Sequence, residues 1–234
     1  MPLQLAPAGE ADLPKILEVQ YAAFAQDPIN RLMFPVPTPP STFEKSLDRA
    51  RRDISNPDVA FMKVTETETG EIVSFAKWYI YKHQRPEEEW NKEEKRDWGE
   101  GTNVEVADTF FGLLTRNRRK FMAGEPYCCK LVTSRGRRIC TKRCPAVLNL
   151  LDTLPAHQRR GAGTKLLRWG ADVADQYGLP IYLEASPAGY HLYRKFGFED
   201  VENIDMDLTR WGGVGTHRFA CMIRPVHDSR VQPI

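Results

Sequence analysis

The chain has no long hydrophobic run. None of its apolar stretches approaches the roughly 18 residues that a membrane-spanning helix needs. Residues 1–7 also lack the basic part and the long apolar part of a secretory signal peptide. The sequence therefore predicts a cytoplasmic protein that does not bind membranes, with the nucleus as the alternative. Its 41% hydrophobic and 27% charged residues exclude a wholly disordered chain, and 234 residues predict a single domain over 1–234.

An excess of charge of one sign is also missing. The 33 basic and 31 acidic residues give a net charge of +2. Six of the basic residues fall within residues 128–144, which contain no acid, so the remaining 27 basic and 31 acidic residues have a net charge of −4. The sequence therefore argues against a protein whose whole surface binds nucleic acid, and a nucleic-acid binder built on residues 128–144 is a remaining alternative.

Paired cysteine turns are absent as well. Four of the five cysteines lie in residues 128–144, as Cys128, Cys129, Cys140 and Cys144, without the C-x-x-C spacing of structural zinc sites. We therefore expect reduced thiols and no metal. Residues 128–144 form a basic, cysteine-rich insertion, either a functional loop on the substrate side or a translated intron from a faulty gene model. Residues 83–100 are predicted to be a second, charged loop.

The hydrophobic pattern predicts alternating strands and helices. In the first half we expect a strand at 3–8, a helix at 13–25 capped by Asp12, a helix at 42–54, a hairpin of strands 59–65 and 71–81, and a helix at 104–122. In the second half we expect a strand at 146–153, a helix at 161–177, a strand at 181–185, a helix at 188–195 and a final strand pair within 204–224. This order indicates an α/β protein with a mixed sheet.

The stretch 158–163, Gln-Arg-Arg-Gly-Ala-Gly, carries the clearest chemical signal. It connects a buried strand to a helix, so its glycines admit a ligand close to the N–H groups of the helix start, and two arginines add positive charge. These features predict a pyrophosphate cradle. The Gly-Lys-Ser/Thr end of a P-loop is missing, and Leu166 replaces the last glycine of a Rossmann fingerprint. A simple tight connection is the alternative.

Two motifs resemble the GNAT superfamily of acetyl-CoA-dependent N-acetyltransferases. Residues 158–163 fit its Gln/Arg-x-x-Gly-x-Gly/Ala signature, and residues 192–198, Leu-Tyr-Arg-Lys-Phe-Gly-Phe, resemble its Leu-Tyr-x-x-x-Gly-Phe signature. The clear match covers about 146–208, and the sequence of residues 183–190 resembles that of fungal members. The resemblance implies a GNAT-like mixed, largely antiparallel central sheet with helices on both faces.

The resemblance also implies residue roles. It places Tyr193 as the acid that protonates the departing thiolate, and Glu184 and Asp152 as alternative bases. Ser186 stands where many members have an asparagine that contacts CoA. The positions implied to bind acetyl-CoA are Leu151, Thr153, Gln158, Arg159, Arg160, Gly161, Ala162, Gly163, Thr164 and Ser186.

The function implied is transfer of an acetyl group from acetyl-CoA, as co-substrate, to a primary amine of a small molecule. The amine would attack directly in a ternary complex, without a metal. Two alternatives stay open: a protein lysine or N-terminal acetyltransferase, and a non-catalytic member that binds CoA.

Overall fold

A computed structural model describes residues 2–83, 86, 88, 96–122, 131–132, 138–139 and 145–226. Much of the predicted charged loop at 83–100 lies outside these residues. The predicted insertion at 128–144 is described only where Leu131–Val132 and Arg138–Ile139 pair as antiparallel strands, so its four cysteines lie outside the described residues.

The elements of the N-terminal half are β1 (Leu3–Pro7), α1 (Leu13–Phe24), α2 (Pro28–Met33), α3 (Pro40–Ile54), β2 (Val59–Glu66), β3 (Ile72–Tyr79) and α4 (Val104–Met122). Those that follow are β4 (Leu131–Val132), β5 (Arg138–Ile139), β6 (Ala146–Thr153), α5 (Ala162–Tyr177), β7 (Ile181–Ala185), α6 (Pro187–Lys195), β8 (Glu199–Asp207) and β9 (Thr216–Arg224).

Two local features differ from the sequence prediction. The sequence pattern does not predict helix α2, because Pro28 is expected to end a helix there. Pro28 instead occupies the first turn of α2, where its missing N–H costs nothing, and Asp27 Oδ1 accepts the N–H groups of Ile29 and Asn30. Asp12 occupies the N-cap position of α1, as predicted, but it lacks the predicted capping bond. Its carboxylate accepts the Gly9 N–H at 2.8 Å and pairs with Lys63 at 2.7 Å, and it makes no side-chain capping bond to α1.

A seven-stranded sheet organises the chain in the order β1-β2-β3-β6-β7-β9-β8. Every neighbouring pair is antiparallel except β6 and β7, which confirms the mixed, largely antiparallel sheet. These two parallel strands pair only at Ala146↔Ile181 and Val147↔Tyr182 and then separate. The backbone of β6 beyond Val147 therefore has no strand partner on its β7 side.

A β-bulge in β6 decides which side chains enter the site. Opposite β3, Leu148 pairs with Trp78 and Leu150 pairs with Lys77, so Asn149 is an extra residue in the ladder. One extra residue reverses the alternation of side chains between the two faces. Leu148 therefore packs in the core beneath α5, whereas Leu150 packs with α1 and α3 on the opposite face. Asp152, two residues further along, shares the face of Leu150.

Helices cover both faces of the sheet. Helices α5 and α6 pack on one face, around Trp78, Leu166, Leu183 and Tyr193. On the other face α1 and α3 pack against Phe75. Helices α2 and α4 pack beside them, against the β8 and β9 side of the sheet. None of the helices in the described residues is long and apolar enough to cross a membrane.

At Gly170, α5 lies close to the sheet. A Cβ at this position would overlap the indole ring of Trp78, which is fully buried. We expect Gly170→Ala to lower the free energy of unfolding by about 1 to 3 kcal/mol, as overpacking commonly does. Gly112→Ala is the matched control, since its Cβ meets nothing within 4 Å in α4 and alanine favours helix by about 1 kcal/mol. Urea denaturation of both variants measures the difference, and equal stability would contradict the expected overlap.

Candidate active site

A cavity of about 940 Å³ lies on the face covered by α1, α3 and α4, at the point where β6 and β7 separate. Asp152 and Leu151 line it from β6, Glu184 lines it from β7, and Ser186 and Tyr193 line it from the following turn and helix. The structure thus brings together both candidate bases and the candidate acid. Of the predicted CoA-binding residues, it brings Leu151 and Ser186 to this cavity.

Asp152 is a buried carboxyl group that lines the cavity. The residue is 4% exposed, and its Oδ2 has no hydrogen-bond partner within the described residues. Burial raises the pKa of Asp152 well above its usual value, because the charged form loses its hydration. A carboxyl group in this state takes up a proton far more readily than an exposed aspartate, which suits a general base.

Tyr193 belongs to the core beneath α5, yet it also lines the cavity on the other face. The separation of β6 from β7 accounts for this, since it leaves the sheet open between the two faces. Burial, and secondarily the charge of Asp152, raise the pKa of the Tyr193 phenol, so the hydroxyl keeps its proton at neutral pH. A Cβ at Gly189, one helical turn before Tyr193, would lie 2.7 Å from the Tyr193 ring. The glycine therefore provides the space that the ring occupies.

Glu184 is held in an ion pair. Arg118 of α4 donates to both of its oxygens at 2.8 Å, and the Glu184 side chain is only 5% exposed. With its amide oxygen turned to the guanidinium, Asn149 accepts two more hydrogen bonds from Arg118, at 3.0 and 3.2 Å. Both carboxylate oxygens of Glu184 are thus occupied, whereas Asp152 has an oxygen without a partner among the described residues. This difference favours Asp152 as the base.

The predicted cradle lies at the N-terminus of α5. Gly161 is the N-cap in a left-handed conformation with φ of 91°, and Arg159 before it also has a positive φ of 60°. The backbone N–H groups of residues 161–164, at the start of α5, find no acceptor in the part of the chain that the structure describes. Successive N–H groups at a helix start attract phosphate. The geometry therefore fits a pyrophosphate, and Gln158, Ala162 and Thr164 remain predicted contacts.

Two cradle residues have additional partners. The Arg160 guanidinium donates to Glu66 Oε1 at 2.6 Å and also lies 2.7 Å from His157 Nδ1. The same arginine lowers the pKa of the Glu66 carboxyl. This ion pair ties the cradle to the β2–β3 hairpin. A Cβ at Gly163 would lie 3.2 Å from the side chain of Leu151, so this glycine also allows α5 to pack closely on β6.

Thr153 and Ser186 complete the predicted set. The Thr153 carbonyl accepts a long hydrogen bond of 3.5 Å from the Gln158 side chain, and its hydroxyl lies 2.8 Å from Ser74 Oγ. Ser186 is the N-cap of α6, but its hydroxyl makes no capping bond. That hydroxyl is therefore available to a ligand.

The cations of the cavity wall are not predicted from the sequence, and Arg118 and Lys77 are two of them. Lys77 is 7% exposed, pairs with Asp53 of α3, and has the rings of Phe61 and Tyr79 within 6 Å. Both residues interrupt otherwise apolar patterns. Arg118 continues the four-residue spacing of Val106, Phe110 and Leu114 on α4, and Lys77 lies within the buried strand β3. A charged residue in such a pattern signals a buried partner.

Comparisons with known proteins agree with this geometry. The profile described as "Acetyltransferase (GNAT) family" matches residues 143–198. A probable acyltransferase, SID5 of Ajellomyces capsulatus, is 42% identical over 53 residues, which are 23% of this chain and 39% of the relative. The chain therefore spans less than half the length of the curated relative that it matches.

Solved structures show the same fold. A protein from Corynebacterium glutamicum, described as histone acetyltransferase HPA2 and related acetyltransferase, superposes with a TM-score of 0.59 at 22% identity over 99% of this chain and 100% of its own. Mosquito arylalkylamine N-acetyltransferase like 5b gives 0.59 at 13% identity over 95% and 99%. The phosphinothricin acetyltransferase of Sinorhizobium meliloti, in complex with AcCoA, gives 0.54 at 16% identity over 100% and 94%.

Proposed function

The chain belongs to the GNAT superfamily of acetyltransferases, and on that premise we propose that it transfers an acetyl group from acetyl-CoA to a primary amine. One observation carries this proposal. Asp152 and Tyr193 line the cavity where β6 and β7 separate, and the unpartnered N–H groups of the cradle lie at the start of α5, which packs through Gly163 on Leu151 of β6. The cradle would hold the pyrophosphate, and the open edge of β6 around Leu151 and Thr153 would hold the pantetheine arm.

The proposed reaction is direct attack of the amine on the thioester carbonyl. The new C–N bond replaces the C–S bond, Asp152 takes the proton that the amine loses, and Tyr193 gives its proton to the departing thiolate. The two residues are close enough for the charge of Asp152 to raise the pKa of Tyr193. Transfer of the proton from Asp152 to Tyr193 then restores both groups for the next turnover.

A small molecule is the acceptor that the cavity supports best. Its walls come from α1, α3, α4 and the sheet, and a volume of about 940 Å³ accommodates one small ligand. The mosquito relative is named for arylalkylamines, and an amine of that size is in keeping with this volume. A protein lysine or N-terminal acetyltransferase remains the second candidate, because a peptide side chain could enter the same cavity.

The test compares Gly161→Asp with Gly161→Asn. Asparagine and aspartate have the same shape, and both tolerate a left-handed backbone better than other side chains, so only the charge differs. We expect acetyl-CoA to raise the melting temperature of the wild type and of the Asn variant. Both proteins should also release CoA from acetyl-CoA when primary amines are added. The Asp variant should lose both effects, because its carboxylate repels the pyrophosphate.

Melting curves with and without acetyl-CoA, and a thiol assay of CoA release, measure these effects. An Asp variant that keeps the full thermal shift would place the pyrophosphate elsewhere. A thermal shift without CoA release, for every primary amine tested and for peptides with free amino groups, would indicate the non-catalytic alternative.

A further inference from the structure

We propose that the acceptor carries a carboxylate as well as the amine, and that Arg49 and Arg52 of α3 bind this carboxylate at the outer part of the cavity. The inference rests on the proposed function, because it names the substrate class of the same site. It predicts ω-amino acids, whose amine and carboxylate are separated by several bonds, as the acceptor class.

Helix α3 lines the cavity with basic residues and with the acids Asp48 and Asp53. Lys45, Arg49 and Arg52 follow at positions i, i+4 and i+7, which lie on the same side of a helix, and all three line the cavity. Lys45 has an acidic partner, since its Nζ lies 2.8 Å from Asp97. Arg49 and Arg52 have no carboxylate within ion-pair distance among the described residues; Arg49 rests over the ring of Trp98 at 5.9 Å.

The nearby acids of α3 are already paired. Asp48 accepts from Arg51 at 3.0 Å, and Asp53 pairs with Lys77. On the wall formed by α4, Arg118 neutralises Glu184. Within the described part of the chain, Arg49 and Arg52 thus lack a carboxylate partner beside a cavity that also contains the unpartnered carboxyl oxygen of Asp152. A ligand with an amine and a carboxylate complements both groups, since its amine can approach Asp152 and its carboxylate can bind the two arginines.

Depth separates the two ends of the cavity. Asp152 is buried, Arg49 is partly buried and Arg52 is exposed. Asp53, one turn of α3 after Arg49, pairs with Lys77. Lys77 is opposite Leu150, two residues or about 7 Å along β6 from Asp152. An α-amino acid cannot reach both ends, because its amine and carboxylate are bonded to one carbon. Guanidinium groups favour a carboxylate because their forked N–H groups match its two oxygens.

The experiment measures kcat/KM for a series of ω-amino acids and for the corresponding primary amides, which keep the amine but lose the negative charge. With the wild type we expect each preferred acid to exceed its amide by about 10- to 100-fold, as charge-assisted hydrogen bonds allow. The double variant Arg49→Gln and Arg52→Gln should lose this preference and keep its rate with the amides. Arg51→Gln is the matched control and should retain the preference, because Arg51 is not among the residues that line the cavity and already pairs with Asp48.

A binding measurement separates this inference from the proposed function. Calorimetric titration with N-acetyl ω-amino acids, which need no turnover, should show binding to the wild type and a loss of about 10-fold or more in the double variant. Equal kcat/KM for acids and amides, or unchanged binding in the double variant, would overturn the carboxylate site while leaving acetyl transfer intact. Absence of CoA release with every amine would overturn the proposed function, and the titration would still decide whether the arginines bind a carboxylate.

Discussion

Replacing Tyr193 by phenylalanine should lower kcat by about 10² to 10⁴-fold, the contribution expected of a positioned general acid. Tyr193→Phe keeps the ring that packs on Gly189 and Phe198 and removes only the hydroxyl. The folded stability should therefore change little. The measurement is kcat with saturating acetyl-CoA and amine, together with the melting temperature of the variant.

The leaving group distinguishes acid catalysis from a structural role. A thiolate of lower pKa needs less help from an acid, so the acetyl thioester of an aromatic thiol should be used by Tyr193→Phe at a rate nearer to that of the wild type. Tyr190→Phe is the control on the same helix, because its hydroxyl donates to Asp200 at 2.8 Å outside the cavity lining. Equal losses with both thioesters would remove Tyr193 from proton transfer and leave water as the proton source.

Much of the fold could be predicted because its elements have strong, regular patterns. The predicted bounds 104–122, 146–153 and 181–185 coincide with α4, β6 and β7. In these segments the burial of apolar side chains determines the secondary structure, so the spacing of apolar residues in the sequence predicts it. Helix α2 has too few residues for such a period. It begins because Asp27 accepts the N–H groups of Ile29 and Asn30 while Pro28 occupies the first turn, and a proline considered alone predicts the end of a helix.

The site was predictable as a list of residues, but not as an arrangement. The sequence motifs identified Gly161 and Tyr193. The side of the sheet that Asp152 faces depends instead on the bulge at Asn149, which no local sequence pattern indicates. Charge partners were equally hidden, because Arg118 and Glu184 are 66 residues apart in the chain. Such pairs are set by tertiary packing, and the sequence shows only that a charge interrupts an apolar pattern.

Asp152→Asn should lower kcat/KM by about 10² to 10⁴-fold, since the amide cannot accept the proton of the amine. In the wild type kcat/KM should rise with pH as Asp152 ionises, and burial moves this rise above the usual range of an aspartate. The variant should lose that ascending limb. Glu184→Gln is the comparison: it leaves Arg118 without its carboxylate and should destabilise the fold, but it should keep the limb. Loss of the limb in Glu184→Gln alone would make Glu184 the base.

The same substitution of Asp152 should stabilise the protein at neutral and higher pH. The folded-state pKa of Asp152 is raised well above the 3.8 expected for the unfolded chain, so between these two values the folded state binds more protons than the unfolded state. Stability contributed by Asp152 is therefore complete below pH 3.8 and declines as pH rises toward the folded-state pKa. Asparagine stays neutral, so the variant should melt above the wild type at about pH 8, and the difference should shrink as pH falls. A variant that melts lower at that pH, with no change in the difference on acidification, would mean that Asp152 is already ionised without cost in the fold.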